Sequence, residues 1–230
     1  MKPSTFPCPC QKETVYGFLY LAFQMVFLPS FLIGMNSQLS APLNSAALNF
    51  VYYLLNFLAV LVIFRDFLNN SLKQALQNPG LLFRGAVLGF AAYWVSFSAI
   101  DRLIQWLYPL FSNYNDEAIF AMRGSSRLLM TVGTVILVPP AEECFYRGLI
   151  FRNLYCRSRW AAYLVSTLAF ACIHILGYLG VYSPLELSLA LLQYLPAGLF
   201  LAWSFEKSRT IFAPIIIHAA VNFITISGLR

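Results

Sequence analysis

Charge is scarce in this sequence. Of 230 residues, only 10% are Asp, Glu, Lys or Arg, against roughly 25% in an average soluble domain. The scarcity comes with 60% hydrophobic and 17% aromatic residues and a mean hydropathy of +0.69. Together these exclude a disordered chain and an ordinary cytosolic domain. A disulfide framework is also excluded. Cys144 and Cys172 lie inside apolar stretches, Cys156 sits in an Arg-rich loop, and Cys8 and Cys10 flank a proline in what reads as an unstructured tail. That Cys-Pro-Cys pair has no second half to complete a metal site. Repeats and low-complexity segments are absent, and histidine occurs only twice. The net charge of +6 needs no nucleic acid, because membrane proteins collect Lys and Arg in their cytoplasmic loops.

What remains is an all-α polytopic integral membrane protein. Windows of about 20 apolar residues mark spanning helices, and about seven are expected: 15–33, 46–64, 81–100, 128–151, 160–176, 187–205 and 211–226. The apolar segment 103–111 is too short to span and is expected at the interface. The first window exceeds a signal-peptide core and precedes no small-residue cleavage site, so it reads as a span. The chain reads as one membrane domain, 1–230, with motif-free spans over 1–127 and motif-bearing helices over 128–230. With the N-terminus in the cytoplasm, the inner segments hold Lys2, Lys12, Arg65, Lys73, Arg84, Arg147, Arg152, Arg157, Arg159, Lys207 and Arg209, which is 11 of the 15 cations. Arg102, Arg123, Arg127 and Arg230 fall outside. Seven spans, N-terminus in and C-terminus out, satisfy the positive-inside rule.

Ionisable side chains at membrane depth cost about 2.5–3.5 kcal/mol each even on lenient scales, which marks them as candidates for function. In Glu142-Glu143-Cys144-Phe145-Tyr146-Arg147, Glu143 and Arg147 share a helix face at i, i+4 and neutralise each other. Glu142 is turned about 100° away and is left without a partner in the motif. Pro139-Pro140 is expected to break the helix just before, placing both glutamates in the first turn of a restarted helix. Phe170 and His174 share a face, as do His218 and Asn222. The turn at Ser158 lies 16 residues from both Glu142 and His174, so two antiparallel helices bring them to one depth, about 24 Å away. His218 is only 10 residues beyond Ser208, about 15 Å, so it matches only if the first hairpin protrudes further than the last.

Each motif has a plain reading. A membrane histidine is more often an interhelical hydrogen bonder than a catalyst, and Glu143–Arg147 alone reads as a structural pair. Jointly they form a reagent set: a carboxylate with an imidazole can deprotonate water, and an imidazole with an amide N–H can stabilise an oxyanion. Cys144 and Cys172 read as packing residues.

The ordered set Glu-Glu-x-x-x-Arg, Phe-x-x-x-His and His-x-x-x-Asn (Glu142, Glu143, Arg147; Phe170, His174; His218, Asn222) resembles the CPBP family, the CAAX proteases and bacteriocin-processing enzymes also called the Abi intramembrane endopeptidases. The resemblance implies a glutamate-dependent peptidase in which Glu142 activates water with His174, His218 and Asn222 form the oxyanion hole, and Arg147 fixes Glu143. No cofactor is expected. The alternative is a zinc site made by Glu142, His174 and His218, although no short His-Glu-x-x-His spacing occurs. The implied partners are a peptide or protein substrate, either lipidated or not, and membrane lipids. The compact chain points to the bacterial branch, hence a bacterial plasma membrane, with peptide processing, bacteriocin immunity or signalling as settings. Two other readings compete: a non-catalytic immunity or scaffold protein on the same fold, and a small transporter using Glu and His as a proton relay, against which stands the lack of an inverted repeat.

Overall fold

The computed structural model describes residues 6–228; Lys2 and Arg230, used in the orientation argument, lie outside them. The chain is helical from Gln11 onward: α1 (Gln11–Val26), α2 (Leu28–Ser37), α3 (Ser45–Ile63), α4 (Arg65–Gln77), α5 (Pro79–Leu107), α6 (Tyr114–Ser125), α7 (Arg127–Tyr155), α8 (Arg159–Leu176), α9 (Pro184–Ser208) and α10 (Phe212–Ser227). Five of these, α3, α5, α7, α8 and α9, are long and apolar enough to cross a membrane, and α1 with α2, bent by 46° at their junction, passes the same test only as a pair, as a broken span or a re-entrant loop. The polytopic all-α expectation holds. The seventh span does not reach full length: α10 has 16 residues, about 24 Å at 1.5 Å per residue, short of the roughly 30 Å hydrocarbon core.

Other expectations change for physical reasons. The segment 103–111 is no separate interfacial piece, since α5 runs 29 residues to Leu107. The Cys-Pro-Cys tail is tied down. The Phe6 and Pro7 carbonyls accept from Arg152 at 3.1 and 3.0 Å, and the Cys10 N–H donates to Glu13 at 2.7 Å. Glu13 is itself buried and accepts from the Phe67 N–H at 2.8 Å, so α1 is fastened to α4.

The sequence around residue 139 predicts a break, but α7 continues through both prolines. It does so by winding wide over Gly133–Leu137 and again over Cys144–Phe151. Proline offers no N–H, and a widened turn is the usual way a helix absorbs the mismatch. Here the Val138 N–H reaches back to the Gly133 carbonyl. The next donor in that register is Pro139, so the Thr134 carbonyl is left without a partner on its own helix.

Close helix contacts rest on small residues, as is usual in membranes. A Cβ on Gly89 would stand 2.9 Å from the Ser204 Cβ, and one on Gly198 would stand 2.9 Å from the Thr167 Cα. Thus α9 lies tightly against both α5 and α8. At one end of the bundle Glu206 accepts from Tyr155 at 2.7 Å and pairs with Arg159 at 2.8 Å, and Tyr163 also donates to it. This joins the ends of α7, α8 and α9. At the other end Tyr114 of α6 donates to Glu186, a bond that pushes the Tyr114 phenol up to about 12 and keeps it a donor at any ordinary pH.

The α9–α10 connection is fastened to α4. Ser208, Thr210 and Ile211 are buried, and the Thr210 hydroxyl donates to the Ser71 carbonyl of α4 at 2.9 Å. The turn thus packs under the amphipathic α4 through Ser208, Thr210 and Ile211, while Arg209 between them stays exposed. Gly198→Ala is expected to lower the thermal unfolding midpoint in detergent, at a cost of about 1–3 kcal/mol for overpacking against backbone. An unchanged midpoint would show that this glycine does not set the α8–α9 spacing.

Candidate active site

Glu142 and Glu143 ride the middle of α7, about 18–20 Å by helix rise from its end at Tyr155. Glu143 and Arg147 are both fully buried (0% exposed) and paired at 3.0 Å through Arg147 Nη1 and Glu143 Oε1, as the i, i+4 spacing predicts. The guanidinium also donates through Nη2 to the Ala197 and Gly198 carbonyls of α9 at 3.3 and 3.2 Å. Its plane lies 4.4 Å from the Phe170 ring centroid, a cation–π contact inside the protein. Arg147 therefore holds α7, α8 and α9 together.

His218 of α10 reaches the same carboxylate, with its Nδ1 2.8 Å from Glu143 Oε1. A carboxylate only accepts, so Nδ1 carries the proton and Nε2 is the nitrogen left for chemistry. That Nε2 is 4.0 Å from Glu142 Oε2. The gap is too long for a hydrogen bond and suits one bridging water. Glu142 Oε2 has no protein hydrogen-bond partner, and its side chain keeps 27% exposure. Glu143 is thus tied into the structure through Oε1, whereas Glu142 faces the cavity.

The same logic fixes His174. Its Nδ1 is 2.7 Å from the Phe170 carbonyl, so Nδ1–H donates there and Nε2 is bare. Phe170 packs on His174 with centroids 4.8 Å apart and lies edge-on to His218 at 5.7 Å. One phenyl ring thus lines both imidazoles. Asn222, four residues beyond His218, donates from Nδ2 to the Thr134 carbonyl at 2.8 Å. This is the carbonyl stranded by the wide turn before Pro139, so one amide N–H repairs α7 and the second is left over.

Glu142, His174, His218 and Asn222 line one cavity of about 160 Å³. The four residues come from three helices, α7, α8 and α10. The sequence reading missed the far wall of this cavity, which includes Asn113, Asp116, Gln193 and Tyr194. A signal was present: Gln193-Tyr194 interrupts an apolar span just before Pro196, and polar side chains there are costly. Cys144 is fully buried in the apolar core, in keeping with a packing role.

Removing Arg147 tests how the buried charges depend on one another. Arg147→Met leaves Glu143 without its cation and is expected to cost about 3–5 kcal/mol of stability. The double variant Glu143→Gln, Arg147→Met is expected to recover much of that loss in thermal unfolding. Equal loss in both would show that Arg147 acts only through its bulk.

Residues 124–224 match the model of a family described as Rce1-like, type II CAAX prenyl endopeptidase Rce1-like. The UPF0177 protein YxdF of Lactococcus lactis subsp. lactis (strain IL1403) is 28% identical over 95 residues, covering 41% of this chain and 47% of that protein. The chain thus spans about half the length of the curated relative it matches. No solved structure matches. The stretch that holds all six site residues is therefore similar to the Rce1-like type II CAAX prenyl endopeptidases, which is consistent with the CPBP family.

Proposed function

We propose that the protein is a glutamate-dependent intramembrane endopeptidase that hydrolyses a peptide bond in a membrane-associated peptide or protein. The observation that carries the reading is the pairing inside the cavity. Glu142 has a carboxylate oxygen that no protein group claims, and it stands 4.0 Å from an imidazole Nε2 whose other nitrogen is locked to Glu143. The family match over residues 124–224 adds independent support.

The chemistry follows from the hydrogen-bond directions. Glu142 takes a proton from water, while the bare Nε2 of His174 accepts the second water hydrogen and orients the oxygen. The oxygen attacks the carbonyl carbon, and the carbonyl π pair moves to oxygen. With Nδ1–H on Glu143, His218 presents an Nε2–H only as the imidazolium. That N–H and the second N–H of Asn222 then meet the oxyanion. Collapse expels the amine, which receives the proton held on Glu142, and the carboxylate is regenerated. Arg147 and Phe170 touch none of the reacting atoms; they hold Glu143 and His174.

The proposed route uses no metal. Among the described residues no three His, Cys, Asp or Glu side chains are grouped so as to hold one, and Glu143 is already shared between Arg147 and His218. The substrate is a peptide or protein tail reaching the bilayer, with or without a lipid, and nucleic acid has no part. The relative from Lactococcus lactis and the cation distribution support a bacterial plasma membrane with the N-terminus in the cytoplasm.

The test is cleavage of a peptide pool, prenylated tails included, by the purified protein in detergent, read by mass spectrometry. Glu142→Gln is expected to lower the rate by at least about 100-fold, and Asn222→Ala by about 100-fold or more, while a strong chelator changes nothing. Cleavage that survives Glu142→Gln would sink the mechanism. Loss with chelator and recovery with zinc would replace it by a metal-dependent hydrolysis at the same residues.

A further inference from the structure

The far wall of the cavity is a hydrogen-bonded chain whose direction is set at one end. The Asp101 carboxylate of α5 accepts from Gln193 Nε2 at 2.7 Å. Gln193 must then present its Oε1 to Asn113, whose Nδ2 donates at 2.8 Å. Asn113 is thereby left with Oδ1 facing Tyr194, whose hydroxyl donates at 3.2 Å. The same hydroxyl accepts from Asn115 Nδ2 at 3.1 Å. Because a carboxylate only accepts, neither Gln193 nor Asn113 can flip without breaking at least two bonds. Gln193 is buried (7% exposed), where an unmade bond is costly.

The chain ends on a functional group. The Tyr194 ring stacks on His174 with centroids 4.2 Å apart and planes within 23°. His174 is otherwise fixed at one edge, by Nδ1–H on the Phe170 carbonyl, and touched on another side by the Phe170 ring. One hydrogen bond leaves the ring free to rock about that edge, and a flat plate held by its own hydroxyl stops the rocking. We propose that Tyr194 is a positioning residue that sets the plane of the His174 imidazole and so the aim of its Nε2, and that Asn113, Asn115, Gln193 and Asp101 are its mount. The inference rests on the endopeptidase reading for its kinetic consequence, but the placement of His174 is measurable without it. It also gives α6 and the residues before it a role: they carry two of the mounting amides, Asn113 and Asn115.

The test compares Tyr194→Phe, which keeps the plate and loses its mount, with Tyr194→Leu, which loses the plate. The protein has only two histidines, so ¹⁵N-histidine spectra in detergent contain two side-chain sets, and His174→Gln assigns them. In the parent protein the His174 ring protons are expected upfield, shielded by the stacked phenol, with the Nδ1–H tautomer. Tyr194→Leu is expected to lose the shielding and leave the tautomer and the His218 signals in place, whereas Tyr194→Phe, without both hydroxyl bonds, keeps only part of the shielding. In cleavage assays Tyr194→Leu is expected to reduce kcat by about 100-fold, the scale of a misplaced catalytic group, with KM nearly constant. Tyr194→Phe is expected to fall between the parent and Tyr194→Leu. If Tyr194→Leu does not fold, Asn115→Ala removes one mounting bond and is expected to lower kcat and His174 shielding together, by less. Unchanged His174 signals in a folded Tyr194→Leu or Asn115→Ala protein overturn the proposal. So does an effect confined to KM, which would make Tyr194 a substrate contact. A parent protein with no cleavage of any peptide would remove the endopeptidase reading, and the spectra would still decide the placement of His174.

Discussion

The Glu143 carboxylate is the fixed point of the structure. One of its oxygens is shared by a guanidinium from its own helix and an imidazole from the last helix. None of the three groups could be buried alone, since an isolated charge at this depth would be neutralised or expelled. Burial of Glu143 requires Arg147, and Arg147 in turn takes up two carbonyls of α9. The arrangement of four helices therefore follows from the need to compensate one carboxylate. Glu142, one residue earlier and facing elsewhere, stays uncompensated because its neighbour has taken the cation. Two adjacent identical side chains thus acquire opposite roles from helix geometry alone.

A second dependence runs through the backbone. Two consecutive prolines in a membrane helix remove two donors where water cannot replace them. The helix responds by widening its turn, which leaves the Thr134 carbonyl unclaimed, and Asn222 claims it from another helix. The same amide group presents its remaining N–H to the cavity. The repair of α7 and the orientation of Asn222 are therefore one interaction, and the prolines bear on the site although neither lines its polar face.

Much of the site was legible before any coordinates. The i, i+4 spacings of Glu143–Arg147, Phe170–His174 and His218–Asn222 are facts of helix periodicity, and equal distances from Ser158 put Glu142 and His174 level. Illegible parts were those decided by tertiary context. Helix α4 is polar on average and falls between two apolar windows, because its value lies in covering the buried side of the α9–α10 turn. Helix α6 contains no apolar run. The continuity of α7 depends on a wide turn that propensity rules do not anticipate, and the ordering of Cys8 and Cys10 depends on Arg152, nearly 150 residues away in sequence. Tyr194 was hidden because an aromatic residue in an apolar span looks like any other until its hydroxyl partners are known.

The α9–α10 turn packed under α4 has a consequence for how the protein is made. A helix of 16 residues that begins at a buried turn is a poor candidate for independent insertion into lipid, and its polar His218 and Asn222 would oppose it. It gains a stable place only once α4, α7 and α9 have formed the seat that receives it. The polar side chains of α10 meet Glu143 and the Thr134 carbonyl of α7 only when that seat is in place. The candidate site is therefore complete only when the bundle that receives α10 is complete.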